Sequence, residues 1–189
     1  MKKMKHIVIV PIALGMLFIW GCGTVSKNTL AESKALDDLV SQKMFEIQSD
    51  WALPISTNSL NSISNARLLP PGSSPNRISL AGNPNYLKVQ GDSISAYLPY
   101  FGERQMGAGY NSDGGAVQFN GIPISYEANM DEKRKRYEIN FSIRNKTETY
   151  TVNLLLYPNG ASNINMNSTH RFSIRYQGRV GPLSKMKTQ

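Results

Sequence analysis

The sequence predicts an α+β domain that is mostly β, in which one N-terminal amphipathic helix packs on a curved antiparallel sheet of about seven or eight strands. Apolar residues recur at helical spacing in residues 29–51 and alternate with polar residues from residue 86 onward, and Gly- or Asn-containing turns separate the alternating runs. A sheet of this length curls into a half-barrel, closes into a barrel or splits into a sandwich, and the sequence leaves these three forms open.

The first residues have the features of an export signal. A lysine-rich start precedes fourteen uncharged residues, Ile7–Trp20. A helix of that length spans about 21 Å, which is short of the roughly 30 Å hydrocarbon core of a bilayer. Residues 1–21 are therefore predicted to be a signal peptide rather than a spanning helix.

The end of this segment, Ile19-Trp20-Gly21-Cys22, resembles a bacterial lipobox. It predicts signal cleavage between Gly21 and Cys22, a diacylglycerol on the Cys22 thiol and a further acyl chain such as palmitate on its amino group. The alternatives are a simple cleaved signal with an accidental cysteine and an uncleaved anchor that extends to Val25. Acylation also explains why an exported protein carries a single cysteine that has no disulfide partner.

Charge and export together constrain the partners. The 189 residues carry a formal net charge of +8, and removal of residues 1–21 lowers it to +5 because three lysines and no acid are lost. Export also separates the protein from nucleic acid, so its basic character does not indicate DNA or RNA binding. The predicted partners are a lipid bilayer, reached through acylated Cys22, and an envelope protein or small ligand.

The helix is predicted to begin after a polar tether, residues 22–30. Thr29 and Glu32 fit a capping box. An apolar stripe then predicts one helix of about twenty residues. The stripe consists of Leu36, Val40, Met44, Ile47 and Trp51.

Strands follow the helix. The alternating apolar residues are Ile94, Ala96, Leu98 and Tyr100; Ile122, Ile124, Tyr126 and Ala128; Tyr137, Ile139, Phe141 and Ile143; Tyr150, Val152, Leu154 and Leu156; Ile164 and Met166; and Phe172, Ile174 and Tyr176. Pro123 has no amide proton, so its strand is predicted to lie at an edge or to start at a bulge. Residues 31–180 are predicted to form one domain, followed by a basic tail at residues 181–189.

The chain offers little reactive chemistry. After cleavage His170 is the only histidine, which argues against a zinc site or a Cys/His nucleophile, so no metal and no cofactor are predicted. Two carboxylates could still support glycoside hydrolysis, although solvent exposure is the ordinary explanation for most of the acids. Those on the β-part are Asp92, Glu103, Asp113, Glu127, Asp131, Glu132, Glu138 and Glu148.

Two further features suggest binding rather than catalysis. The aromatic residues Tyr100, Tyr110 and Phe119 could line a ligand pocket on the curved sheet. The basic run Lys133–Arg136 is most simply a soluble hairpin tip, and the alternative is a contact with an anionic partner such as lipid headgroups or polysaccharide.

Several short motifs resemble a lipoprotein family of Bacteroides and its relatives, domain of unknown function 4251. They are Leu98-Pro99-Tyr100-Phe101-Gly102, Phe119-Asn120-Gly121, residues 157–161 and Tyr176-Gln177-Gly178, and the resemblance covers about residues 35–180. It implies an acylated lipoprotein and carries no catalytic residues with it. Surface-exposed lipoproteins of those bacteria tend to have acids just after the cysteine, whereas here the first acid is Glu32, which favours the periplasmic side of the outer membrane.

The sequence thus favours a membrane-anchored envelope lipoprotein that acts as a non-enzymatic ligand-binding or scaffolding module. The alternatives are an envelope hydrolase that uses two carboxylates and a structural subunit of an outer-membrane complex.

Overall fold

The computed structural model describes residues 27–105 and 115–184, with side chains from residue 32 onward. The predicted signal peptide, Cys22 and Tyr110 lie outside the described residues. Two helices are seen, α1 (Lys27–Ser41) and α2 (Asn58–Asn65). The strands are β1 (Met44–Pro54), β2 (Ile78–Ser79), β3 (Tyr86–Gln90), β4 (Ser93–Leu98), β5 (Val117–Gly121), β6 (Ser125–Asp131), β7 (Arg136–Asn145), β8 (Glu148–Leu156), β9 (Ala161–Ser168) and β10 (Ile174–Gly181).

The strands form one curled antiparallel half-barrel, which confirms the predicted fold class and selects the half-barrel among the three forms. The spatial order is β5-β4-β3-β1-β10-β9-β8-β7-β6, with β2 paired to β1 beside this path. Curling of the sheet brings β5 close to β7. The Asn145 side-chain amide donates to the Gln118 carbonyl at 2.6 Å, and the ring centres of Phe119 and Phe141 lie 6.1 Å apart.

The concave face of the sheet is the hydrophobic core. Alternation places the apolar residue of each pair inside, as in β8, where Tyr150, Val152 and Leu154 are buried. Helix α1 covers this core with Leu36 and Val40, both buried, and Asp37 accepts a hydrogen bond from the Tyr137 hydroxyl at 2.9 Å. The predicted packing of an N-terminal helix on a curved sheet is therefore observed.

The predicted length of the helix is wrong. Helix α1 begins at Lys27, within the predicted tether, and ends at Ser41, while Met44, Ile47 and Trp51 lie on β1. The chain turns at Lys43, whose φ is +51°. From there Phe45, Ile47 and Ser49 are buried in alternation, a period of two that the helical stripe concealed.

Three other expectations need correction. Ile122 and Ile124 are exposed by 76% and 65% because β6 starts only at Ser125, although β6 does end the sheet as Pro123 predicted. Helix α2, which Thr57 caps by accepting from the Leu60 N–H, was not predicted. The predicted tail overlaps the structure, since β10 reaches Gly181 and the Ser184 amide donates to Glu46 at 3.1 Å.

Within the described ranges, neither helix is long and apolar enough to cross a bilayer.

The centre of the sheet depends on a close backbone approach at Gly178. Strand β1 has a bulge between Ser49 and Trp51, opposite Gly178 on β10, and a Cβ at residue 178 would lie 2.5 Å from the Ser49 Cα and closer still to the Gln48 carbonyl oxygen. Only glycine fits there without movement of the backbone.

We expect Gly178→Ala to lower the free energy of unfolding by about 3 kcal/mol, because the added methyl group forces the central strands apart. Urea denaturation followed by circular dichroism measures the loss. Gly181→Ala on the same strand is the matched control, since nothing lies within 4 Å of a Cβ there. Equal stability of the two variants would contradict the steric argument.

Candidate functional site

Only two of the three residues of the predicted aromatic pocket lie within the described part of the chain. Phe119 is 3% exposed and its ring lies 5.4 Å from that of Tyr150. Tyr100 packs at the edge of the core, and its hydroxyl donates to the Glu103 and Phe172 carbonyls at 3.0 and 3.1 Å. Tyr110 lies outside the described residues. Neither Tyr100 nor Phe119 lines the surface depressions considered below.

A buried ion pair stands beside these aromatic residues. The Arg171 Nε donates to Glu148 Oε1 at 2.9 Å, and the two side chains are only 5% and 11% exposed. The Arg171 guanidinium also donates to the Gly115 carbonyl at 3.0 Å and lies 5.1 Å from the centre of the Tyr100 ring. Solvent exposure is the ordinary explanation for most of the acids on the β-part, and Glu148 is an exception to it.

Hydrogen bonding saturates this cluster. Burial alone would raise the pKa of Glu148, but hydrogen bonds from Ser168, Tyr150 and Arg171 outweigh burial, and the pKa lies below its ordinary value. Burial, together with the neighbouring carboxylate, raises the pKa of Tyr150, so its phenol stays protonated. The Glu148 carboxylate therefore links the start of β8 to Ser168 and Arg171. Its hydrogen bonds leave it unsuited to act as a general acid or base.

A more accessible site lies on the convex face, where Trp51 projects beside the β1 bulge. Direct cross-strand partners share a face of a sheet, so the register Trp51–Gln177–Asn163 places these three side chains in one row. Two surface depressions of about 400 Å³ each meet at Asp50 and Trp51. We call the depression over β1, β10 and β9, lined by Asp50, Trp51, Asn163, Gln177 and Arg179 among others, the Trp51 groove.

The bulge that forms this groove is held by one buried side chain. The Asn85 amide donates to the Ser49 carbonyl at 2.9 Å, and its oxygen accepts from the Ser49 N–H at 2.7 Å. These bonds satisfy both backbone groups of Ser49 where the ladder is interrupted. The position of Asp50 and Trp51 is thereby fixed relative to the sheet.

Cationic groups lie in and beside the Trp51 groove. The Arg77 guanidinium lies 4.0 Å from the centre of the Trp51 ring, Arg179 lines the groove, and Arg175 is exposed two residues before Gln177 on the same face. Among residues 27–105 and 115–184, no carboxylate lies within ion-pair distance of these three arginines. No carboxylate among the described residues therefore competes with an anionic ligand for these guanidinium groups.

The basic run singled out by sequence is, by contrast, partly neutralised. The Asp131 Oδ2 lies 3.3 Å from the Arg134 Nη1 and 3.9 Å from the Arg136 Nε. The Arg134 N–H and then its guanidinium hold the pKa of Asp131 below its ordinary value. This arrangement supports the simpler interpretation of the run as a hairpin tip. In the portion of the chain that is described, no group of three or more His, Cys, Asp or Glu side chains could hold a metal ion.

Comparison with known proteins gives one family. Residues 27–180 match the profile of the family described as "Domain of unknown function (DUF4251)". The chain belongs to the DUF4251 family. A solved DUF4251 family protein from Bacteroides eggerthii has a similar fold, with a TM-score of 0.54 and 12% sequence identity over 80% of this chain and 88% of that one. A search of curated proteins gives no match.

Sequence reasoning missed most of the groove of this DUF4251 chain. Trp51 was assigned to a helix, and Arg77, Arg175 and Arg179 are isolated in sequence, so no motif marks them. The available signal was the alternation of Arg175, Gln177 and Arg179 with buried Ile174 and Tyr176, which indicates that the three polar side chains share one face.

We expect Arg171→Ala to lower the free energy of unfolding by about 3–5 kcal/mol, because it leaves the Glu148 carboxylate buried without its cation. The control is Arg134→Ala, which removes a 69% exposed partner of Asp131 and costs at most about 1 kcal/mol. Thermal unfolding of both variants measures the difference. A loss of less than 1 kcal/mol in the free energy of unfolding of Arg171→Ala would show that the Arg171–Glu148 ion pair does not stabilise this DUF4251 domain.

Proposed function

We propose that this chain is a lipid-anchored lipoprotein of the cell envelope, held on the periplasmic side of the outer membrane, whose domain binds a ligand in the Trp51 groove without catalysing a reaction. The anchor is supported by the Gly21-Cys22 lipobox pattern. Binding is supported above all by three arginines at or beside a partly buried tryptophan that have no carboxylate partner among the described residues.

The chemistry of the described acids favours binding over catalysis. Glu148 is saturated by donors, and Asp131 is paired with arginines. Asp50 has no second carboxylate beside it among the residues that line the Trp51 groove. Glycoside hydrolysis needs a pair of carboxyl groups about 5–9.5 Å apart, and the described residues that line the Trp51 groove supply only one, Asp50.

A structural subunit of an outer-membrane complex is the second candidate. Ile122 and Ile124 are exposed by 76% and 65% in the connection that leads to β6, the strand at the end of the sheet. Exposed apolar residues beside an end strand are a typical surface for protein contacts.

The anchor is tested with Cys22→Ala. We expect the wild-type protein to fractionate with membranes and to carry a lipid-sized increment in its intact mass, and Cys22→Ala to lose both, because each buried methylene contributes about 0.8 kcal/mol to membrane binding. Wild-type protein that is soluble and unacylated would reject the lipoprotein part of the proposal and leave ligand binding to be judged separately.

Ligand binding is tested with the emission of Trp51. The chain has two tryptophans, and Trp20 lies in the predicted signal peptide, so emission of the processed protein reports on Trp51. A panel of peptides, nucleotides and oligosaccharides should contain a class that quenches or shifts this emission. Calorimetry of Trp51→Phe should then show weaker binding of that class, whereas Tyr97→Phe, a control with a 38% exposed ring on β4, should bind as the wild type does. A panel without any binder would contradict the proposal.

A further inference from the structure

We propose that the ligand of the Trp51 groove is an acidic saccharide, a polyhydroxylated ring that bears a carboxylate. This inference rests on the ligand-binding function proposed above and adds the chemical class of the ligand. It follows from the charge of the groove, from its mixture of hydrogen-bonding groups and from its shape.

The charge of the groove selects an anion. Arg179 lines it together with one carboxylate, Asp50. Beside it, Arg77 stacks on the Trp51 ring and Arg175 is exposed on the same face of β10. A guanidinium presents parallel N–H donors that match the two oxygens of a carboxylate. Arg179 is exposed on the wall of the groove, and no carboxylate among the described residues competes for it. We assign it as the main contact of the ligand carboxylate.

The remaining polar groups match hydroxyls. The Asn163 and Gln177 side chains each offer an amide donor and a carbonyl acceptor, and Asp50 offers a pure acceptor. A saccharide hydroxyl both donates and accepts, so it can satisfy all three groups. The side chains of an acidic peptide are carboxylates that cannot donate to Asp50, and its N–H donors lie along the backbone rather than around a ring. For this reason the groove fits a saccharide better than an acidic peptide.

Trp51 supplies a flat apolar surface between the two depressions. An indole ring offers a large contact area at little cost in conformational entropy, and the C–H face of a pyranose ring is complementary to it. The Arg77 guanidinium at 4.0 Å from the ring centre limits its movement by a cation–π contact. Asn85 and the sheet fix the backbone beneath, so the site is largely preorganised.

The dimensions suggest more than one sugar ring. The two depressions have about 400 Å³ each and share Asp50 and Trp51. Each lies within the range of roughly 300–1,000 Å³ that small-molecule sites occupy. A ligand of two or three rings can therefore extend past Trp51 from one depression into the other, with its carboxylate beside Arg179.

The test is calorimetry of the complete detergent-purified protein with trigalacturonate. The matched probes are galactotriose, which is the neutral counterpart, and hexaglutamate, which is an acidic peptide. We expect trigalacturonate to bind at least tenfold more tightly than either one. Its affinity should fall as salt is raised, because the carboxylate contacts are screened.

Variants locate the site. Arg179→Gln should weaken trigalacturonate binding about tenfold, as expected for loss of a hydrogen bond between charged groups, and Arg77→Gln should weaken it similarly. Arg144→Gln is the control, because this arginine is also exposed on the sheet but lies on β7, three strands away from β10. Arg144→Gln should change the affinity less than twofold. Unchanged thermal midpoints show that the substituted proteins remain folded.

The outcomes separate this inference from the proposed function. Failure of trigalacturonate to bind, equal binding of galactotriose or hexaglutamate, or equal loss in the Arg144→Gln control would overturn the acidic-saccharide assignment. If another class of ligand then binds in a Trp51-dependent manner, the ligand-binding function stands with a different ligand. If no class of ligand binds, both proposals fail.

Discussion

The pairing of β1 with β10 is the interaction on which the rest of the structure depends. These strands are neighbours in the middle of the sheet although they come from opposite ends of the described chain. Strands β3 to β5 lie on the β1 side of this pair, and strands β6 to β9 lie on the β10 side. Loss of the pairing would therefore divide the sheet into two smaller sheets, each with part of its apolar face exposed to solvent. Forming it requires closure of a loop of more than 100 residues, which has an entropic cost that local pairings do not have.

The pairing of β1 with β10 also explains the position of the Trp51 groove. A bulge inserts one extra residue into one strand and turns the neighbouring side chains. Here the insertion lies at Asp50, opposite Gly178, and it brings Asp50 and Trp51 together on the outer surface. Asn85 replaces the backbone partners that Ser49 loses at this point. Stability at the centre of the sheet and the shape of the groove therefore have one physical origin.

The sequence pattern predicted those strands whose conformation follows from the burial of one face. Alternation identified β7, β8 and β9, because one face of each strand is buried, and the family resemblance was confirmed. The pattern failed at β1, where Met44, Ile47 and Trp51 have helical spacing but the partners β3 and β10 decide the conformation. Arg171 and Glu148, which are 23 residues apart, and Arg77 over Trp51 meet only through tertiary structure. No spacing rule could reveal them.

The arginines of this domain fall into two groups with different physical roles. Arg171 is buried, and Glu148, a backbone carbonyl and the face of Tyr100 satisfy it, so its contribution is to folding and its removal leaves a buried charge alone. Arg175 and Arg179 are exposed and without carboxylate partners in the described part of the chain, so folding gains little from their charge. Side chains that add little to stability but concentrate positive charge beside an aromatic ring support the proposal that this surface binds an anion.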